Sequence, residues 1–263
     1  MKYALKKIRM MRVYDIASGA HKVTLNDLKT AQFTGSQETI YVEGADGARL
    51  VGFDINKVAG FNATNATVDE GYLAMQVGTE PVKVTNGNAI NIRKILKTTD
   101  GTSVNLPFAA VGTAGNEIGF IYAKGADGMP GQSYAQAAAA SATEFSYKDK
   151  VITLPTGVFK ANDEIVVDFY PQFKEYTMIE NDADKFSLTG RVVIDAWFTD
   201  LCSQLDVPMQ VVMERGKISG EVDISFGDAV AVQSVAVEAM STACNENANL
   251  WRMYTYDEEE IVA

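Results

Sequence analysis

The chain has 263 residues, 47% of them apolar and 22% charged, with a formal net charge of −11. This is the composition of a folded chain able to bury a substantial core, and it argues against general disorder. The acidic balance speaks against a grip on nucleic acid through phosphate contacts, which needs a basic surface, although an acidic wall would let DNA slide past without sticking.

Residues 1–12 carry Lys2, Lys6, Lys7, Arg9 and Arg12 with no acid, and read as a basic N-terminal arm. They lack the uninterrupted apolar core and small-residue cleavage site of a secretory signal. No apolar run approaches the roughly 18 residues of a membrane span. Further along, TIYVEG and ARLVGFDI read as strands around an Ala45-Asp46-Gly47 turn, where glycine supplies positive φ. His21, the sole histidine, falls in a loop or early strand with a surface or structural role in preference to a catalytic one. GYLAMQVG reads as β-like, and PVKVTNGNAINIRKIL contains Asn86-Gly87, a type I′ hairpin signal. GTSVNLPFAAVG and NEIGFIYAKGADGMPG add two strands.

Ala135 and Ala137 to Ala140 favour a helix intrinsically, so the stretch around them is either a short helix or a packed linker. LNDLKTA at 25–31 and TDLCSQL at 199–205 are further candidate helices, each equally readable as a loop. Thr156-Gly157 reads as a turn, and Glu164 to Tyr170 as a strand ended by Pro171. From Phe186 to Tyr256 the period is two. Phe186, Leu188, Val192, Ile194, Ala196 and Phe198 share one face. In KISGEVDISF, Ile218, Val222, Ile224 and Phe226 alternate with Lys217, Ser219, Glu221, Asp223 and Ser225. The fold class expected is mainly β: an antiparallel β-sandwich or barrel with one or two short helices and long loops. Its domain spans 13–256, with or without an inserted lobe near 60–145, and 257–263 form an acidic C-terminal tail.

Catalytic and cofactor signatures are missing. One histidine and two distant cysteines rule out the usual Cys/His zinc spacings, and Cys202 and Cys244 are expected as thiols in a core large enough to need no disulfide. A Ser-His-Asp triad would have to use His21, and no G-x-S-x-G elbow accompanies it. No phosphate-cradling glycine loop and no spaced calcium loop occur. Asp46, Asp127, Asp163 and Asp168 include no pair that spacing selects for glycoside hydrolysis. No enzyme, metal or cofactor is expected.

Acids accumulate towards the end: Glu214, Glu221, Asp223, Asp228, Glu238, Glu246, Asp257, Glu258, Glu259 and Glu260 stand against Arg215, Lys217 and Arg252. A basic head and an acidic tail can pair between neighbours and set register.

The succession FSLTGRVVIDAWF, PMQVVMERGKISGEVDISFGDAVAVQSVAVEAMS and LWRMYTYDEE resembles phage virion structural proteins, above all major tail (tail-tube) proteins. GARLVGFDI with GYLAMQVG, and FSYKDKVITLPTGVFKANDEIVVDFYP, resemble strand-turn-strand pieces of the same type. The resemblance implies a virion subunit, made in the host cytoplasm. Such subunits form homo-oligomeric, hexameric rings that stack into a tube, contact other tail proteins including the tape measure, and pass DNA without binding it. It also implies that Glu221 and Asp223 face the lumen. By the same resemblance, Lys2, Lys6, Lys7, Arg9, Arg12, Asp257, Glu258, Glu259 and Glu260 reach a neighbouring subunit. On that view, residues 1–12 are removable without loss of the monomer fold, and Thr199 to Pro208 form a contact loop. Alternative readings are a capsid or capsid-decoration protein, and a carbohydrate-binding or adhesin domain using Trp197, Phe198, Trp251, Tyr254 or Tyr256 as an aromatic platform.

Overall fold

The computed structural model describes residues 2–85, 89–225, 232–241 and 249–256. The expected turn at Asn86-Gly87, together with Phe226, Cys244 and the acids at 257–260, lies outside the described residues. The chain is mainly antiparallel β and divides into two compact units. One unit comprises Met1–Val82 with Ile179–Ala263, and the other Lys83–Met178.

The first unit is built on strands β1 (Tyr3–Asp15), β2 (His21–Leu25), β3 (Leu28–Glu43) and β4 (Arg49–Asn65), then helix α1 (Glu70–Val77). The second holds most of β5 (Val82–Thr85), then β6 (Ile92–Lys97), β7 (Ser103–Asn105), β8 (Phe120–Lys124), β9 (Pro130–Gln136), β10 (Glu144–Lys148), β11 (Val151–Thr153), β12 (Glu164–Phe169) and β13 (Glu175–Met178). The first resumes with β14 (Thr189–Asp200), β15 (Asp206–Ile218), β16 (Ile224–Ser225), β17 (Val232–Ala239) and β18 (Arg252–Thr255).

In the first unit the strands join in the order β2-β1-β14-β15-β17-β4-β3, with β16 on β17 and β18 on β15. One face of this sheet is apolar by alternation. Met11 and Val13 of β1, Val192 and Ile194 of β14, Val211 and Met213 of β15, Val235 and Val237 of β17 and Phe61 of β4 enter a single core. The sheet curls strongly, because Leu5 of β1 and Phe33 of β3, from opposite parts of the strand order, line one cavity. Curling of a twisted sheet lets its inner face cover itself.

The GYLAMQVG stretch is a helix and not a strand. Asp69 caps it by accepting a hydrogen bond from the Tyr72 amide at 2.8 Å, and Gly78 ends it at φ 79°. Its run of adjacent apolar residues hides the helical period, and burial of Tyr72, Ala74, Met75, Gln76 and Val77 favours the compact turn over an extended strand. The Tyr72 hydroxyl bonds both backbone groups of Ala236, accepting from its amide at 3.1 Å and donating to its carbonyl at 3.3 Å. Burial pushes the Tyr72 hydroxyl well above the usual phenol range. Gln76 donates to the Glu221 carbonyl at 2.8 Å and accepts from Gln233 at 3.4 Å, while Gln233 accepts from the Asp69 amide at 3.0 Å. Helix, β17 and the 219–223 link are thereby tied by buried polar groups that satisfy one another.

Three stretches left open between helix and loop contain no helix. LNDLKTA runs from the last residue of β2 through the link into β3, because Leu25 and Leu28 enter the core and Leu28 pairs opposite Asn65. TDLCSQL closes the β14–β15 hairpin. Thr199 pairs with Asp206 and Trp197 with Pro208, so 201–205 alone form the turn, which Asp200 caps by accepting from the Cys202 amide at 2.6 Å. The alanine-rich stretch is β9 followed by an irregular connection to β10. Ala137 to Ala140 are too few to nucleate a helix, and Tyr134 is buried from β9. Within the first unit, Phe186 is 78% exposed and precedes β14, so it leaves the face read for it. The single strand read over KISGEVDISF is interrupted. β15 ends at Ile218, residues 219–223 bridge to β16, and Val222 is exposed.

In the second unit the strands run β6-β12-β8-β9-β10-β11-β7, with β9 and β10 parallel, around a separate core of Ile121, Phe145, Ile152, Ile165 and Phe169. The β5–β13 pair brings the two ends of this unit side by side.

Two outcomes follow. Both tryptophans, Trp197 and Trp251, belong to the first unit, so their fluorescence follows that unit alone. Replacing 83–178 by a short linker is expected to leave a cooperative tryptophan unfolding transition in urea. Loss of that transition would show that the first unit depends on the second. Gly78→Ala is expected to destabilise the same transition by about 1–3 kcal/mol, since a β-carbon there meets the Phe186 carbonyl at a positive φ. An unchanged midpoint would contradict that reading.

Candidate functional site

The basic head is strand β1, flanked by β14 along its length and by β2 from Met11 to Tyr14. Two of its cations are engaged within the chain. Lys6 Nζ lies 2.5 Å from Asp206, which also accepts from Thr199 at 3.0 Å; the lysine first and the hydroxyl second hold the Asp206 carboxyl below its ordinary range. Arg12 is half-buried. Its Nη2 lies 2.5 Å from Asp195 and its Nη1 donates to the Tyr14 hydroxyl at 3.2 Å, while Gln210 donates to Asp195 at 2.9 Å. Lys2, Lys7 and Arg9 are exposed, with no ion pair among the described residues.

Removing residues 1–12 therefore cannot leave the fold intact. It takes out Met11, which is fully buried, together with Tyr3–Arg12, most of strand β1. Composition suggested an arm because its charges lie in one run; backbone pairing makes it sheet.

Glu221 and Asp223 are exposed in the link between β15 and β16. Their backbones are fixed, Glu221 by the bond from Gln76 and Asp223 by a carbonyl that accepts from Ser234 at 3.0 Å. The side chains project from a held segment and make no ion pair among the described residues.

The remaining sequence candidates do not converge. Asp127 and Asp163 cap turns, accepting from the Met129 amide at 3.0 Å and the Lys160 amide at 2.8 Å, and Asp168 is paired with Arg93 at 2.8 Å. Asp46 sits in the β3–β4 turn of the other unit. No group of three or more potential metal ligands occurs among the described residues. His21 opens β2, within hydrogen-bond reach of Thr24 at 2.6 Å. Cys202 is an exposed free thiol. Phe198 stacks on Tyr3 with centroids 5.7 Å apart, so it contributes to packing, whereas Trp251, Tyr254 and Tyr256 are exposed.

Sequence reasoning missed two exposed apolar surfaces in the first unit. Among the described residues, β17 pairs with β4 over Gly60–Asn65, and from Arg49 to Ala59 strand β4 pairs with β3 alone. In this distal hairpin the opposed pairs Ile40/Phe53 and Val42/Val51 share one face and are 51%, 57%, 47% and 50% exposed. The other side is mixed: Thr39 donates to Asp54 at 2.7 Å, Arg49 lies 4.1 Å from the ring centre of the exposed Tyr41, and Leu50 is exposed as well. A second apolar surface is the open end of the curled sheet. It is a cavity of about 180 Å³ lined by Leu5, Phe33, Phe198, Met209, Val211, Trp251 and Met253. The alternation of TIYV and RLVGF was the available signal, but a one-sided apolar pattern does not say whether anything covers it.

A subunit dominated by sheet, with uncovered apolar strands and no convergent catalytic group among its described residues, has the make-up of a building block. The chain belongs to the YomU/Tube protein family, whose model matches residues 4–253, and is a structural protein of the phage tail tube. None of the curated proteins compared with the chain matches it. Membership implies a virion component that self-associates and contacts other tail proteins, with a non-enzymatic role. Among the described residues no helix is long and apolar enough to cross a membrane.

Asp195→Ala is expected to lower the stability of the first unit by about 1–3 kcal/mol, because it leaves the Arg12 guanidinium half-buried without its carboxylate. Tryptophan-detected urea unfolding checks this, and an unchanged midpoint would remove the pair from the stability account. Lys6→Ala is expected to raise the pH at which Asp206 titrates, since the ammonium that favours its charged form is gone. Carboxyl-carbon NMR reads the shift, and an unmoved titration would mean the pair is not formed in solution.

Proposed function

We propose that this chain builds the tail tube as hexameric rings stacked end to end. The lumen first holds the tape-measure protein and then conducts DNA, and the subunits are made in the host cytoplasm before entering the virion. The observation that carries this reading is the family match, which runs from residue 4 to residue 253 and so includes both units. A formal net charge of −11 supports a lumen that repels phosphate. In a ring, any acidic side chain on the inner wall is repeated by symmetry, so a few carboxylates per subunit form a continuous negative lining.

We assign Glu221 and Asp223 to that lining. They are exposed and unpaired among the described residues, on a segment held by Gln76 and Ser234. Contact with a neighbour falls to Lys2, Lys7 and Arg9, with Asp257, Glu258, Glu259 and Glu260 as complementary charges. Lys6 and Arg12 join this contact as parts of the β1 surface, already neutralised by Asp206 and Asp195.

Sedimentation velocity of the purified chain tests the reading. Discrete species much larger than a monomer are expected, and a monomer at all concentrations and salts would overturn it. Converting Glu221 and Asp223 together to Lys is expected to preserve those species while making them retain duplex DNA at low salt and release it at high salt. Assemblies with unaltered DNA retention would take the two residues off the lumen.

A further inference from the structure

We propose that the outward face of the sheet in the second unit binds an uncharged glycan, with Tyr122 as the stacking platform and the cavity beside Lys97 and Asn162 as the socket for a sugar ring. Such a site goes beyond the tube reading and does not depend on it.

The face follows from register. Ile121, Ile165, Val167 and Phe169 enter the core, so alternation turns Phe120, Tyr122, Val166 and Ile95 to the opposite side. Ile95, Val166, Tyr122 and Ser133 stand opposite one another across β6, β12, β8 and β9 and form a single row. Ile95 and Phe120 are 49% and 51% exposed, and Tyr122 is half-buried. A charged pair flanks the row on each side. Arg93 donates two bonds of 2.8 Å to Asp168, and Lys124 lies 2.5 Å from Glu164. In both pairs the hydrogen bond from the cation holds the carboxyl below its ordinary range, so each acceptor stays charged.

A cavity of about 350 Å³ adjoins the Lys124–Glu164 pair, lined also by Lys97, Gly125, Ala126, Asn162 and Asp163. Asn162 holds a left-handed backbone at φ 74°, and its side-chain amide makes no hydrogen bond among the described residues. Lys97 makes no ion pair there either. The cavity thus offers a free amide, which donates and accepts, and a free ammonium beside a paired carboxylate.

Sugar hydroxyls require donors and acceptors close together, and the C–H face of the ring requires an aromatic surface. This face supplies both. Charge disfavours an anionic ligand, because the second unit carries nine Lys or Arg against nine Asp or Glu, which leaves the whole formal charge of −11 on the first. Arg93 and Lys124 are already neutralised, yet their pairing orients them and leaves N–H groups and carboxylate lone pairs for hydroxyls. A protein partner would call for a continuous apolar centre, whereas charged pairs interrupt this one.

The test probes an array of neutral, N-acetylated, sulfated and phosphorylated oligosaccharides with the full-length chain. Neutral or N-acetylated oligosaccharides are expected to retain it equally at low and high salt. Tyr122→Ala and Asn162→Ala are each expected to lower retention by about tenfold or more, and Trp251→Ala, in the first unit, to leave it unchanged. Asn162→Ala removes no hydrogen bond of the fold, so it decides the matter if Tyr122→Ala fails to fold by circular dichroism. Retention of sulfated or phosphorylated chains alone, lost at high salt, would overturn the site in favour of adhesion by charge. No retention, or retention that both folded variants keep, would overturn it as well. A changed sedimentation profile of Asn162→Ala would instead make this face a contact between copies. None of these outcomes bears on the tube reading, which is decided by sedimentation of the unmodified chain.

Discussion

Everything in the first unit depends on how a strongly curled sheet closes its two ends. Curling lets the inner face cover itself along the strands, so that Met11, Val192, Met213, Val235 and Phe61 meet in one core. It does nothing for the openings. One is stopped by α1, whose Tyr72 and Gln76 are buried and carry polar groups that would be costly without partners. Ala236, Gln233 and the Glu221 carbonyl supply them. The plug is therefore specified by hydrogen bonds as much as by apolar contact. The same bonds anchor the link that carries Glu221.

The other opening is left apolar, and the longest hairpin of the unit runs out beyond the sheet with an apolar face of its own. A monomer with those features has hydrophobic surface without cover on two sides. Membership of a tube family gives that surface a use. The charges are distributed in keeping with this. Lys6 and Arg12 stabilise the sheet within the subunit, while Lys2, Lys7 and Arg9 remain available outside it.

Much of the fold was legible in the residues, and the reason is local. Alternation in VVIDAWF and MQVVM identifies strands because each pleat presents one side to the core, and the Ala45-Asp46-Gly47 turn was readable because glycine tolerates the φ of 75° found at Gly47. The helix was obscured because Tyr72, Leu73, Ala74 and Met75 are adjacent and give neither period, although Asp69 and Gly78 marked its ends. The break after Ile218 was hidden for the opposite reason: Ser219 to Asp223 keep the alternation but leave the ladder to meet Gln76.

Function was less legible than fold, because cover is a non-local property. Phe53 and Phe61 sit in similar strand sequence, yet one is 57% exposed and the other fully buried. Among the described residues the difference is set by β17, from far along the chain, whose pairing with β4 ends at Gly60. Likewise a run of lysines and arginines reads as an arm until its pairing with β14 is known. Composition could suggest an assembling, acidic subunit, but only the strand order shows which of the described surfaces are left uncovered.

Electron microscopy of the purified, full-length chain tests the central claim most directly. The account predicts rings and stacked tubes with a continuous stain-filled lumen. Isolated monomers, or closed shells with no axial channel, would contradict it.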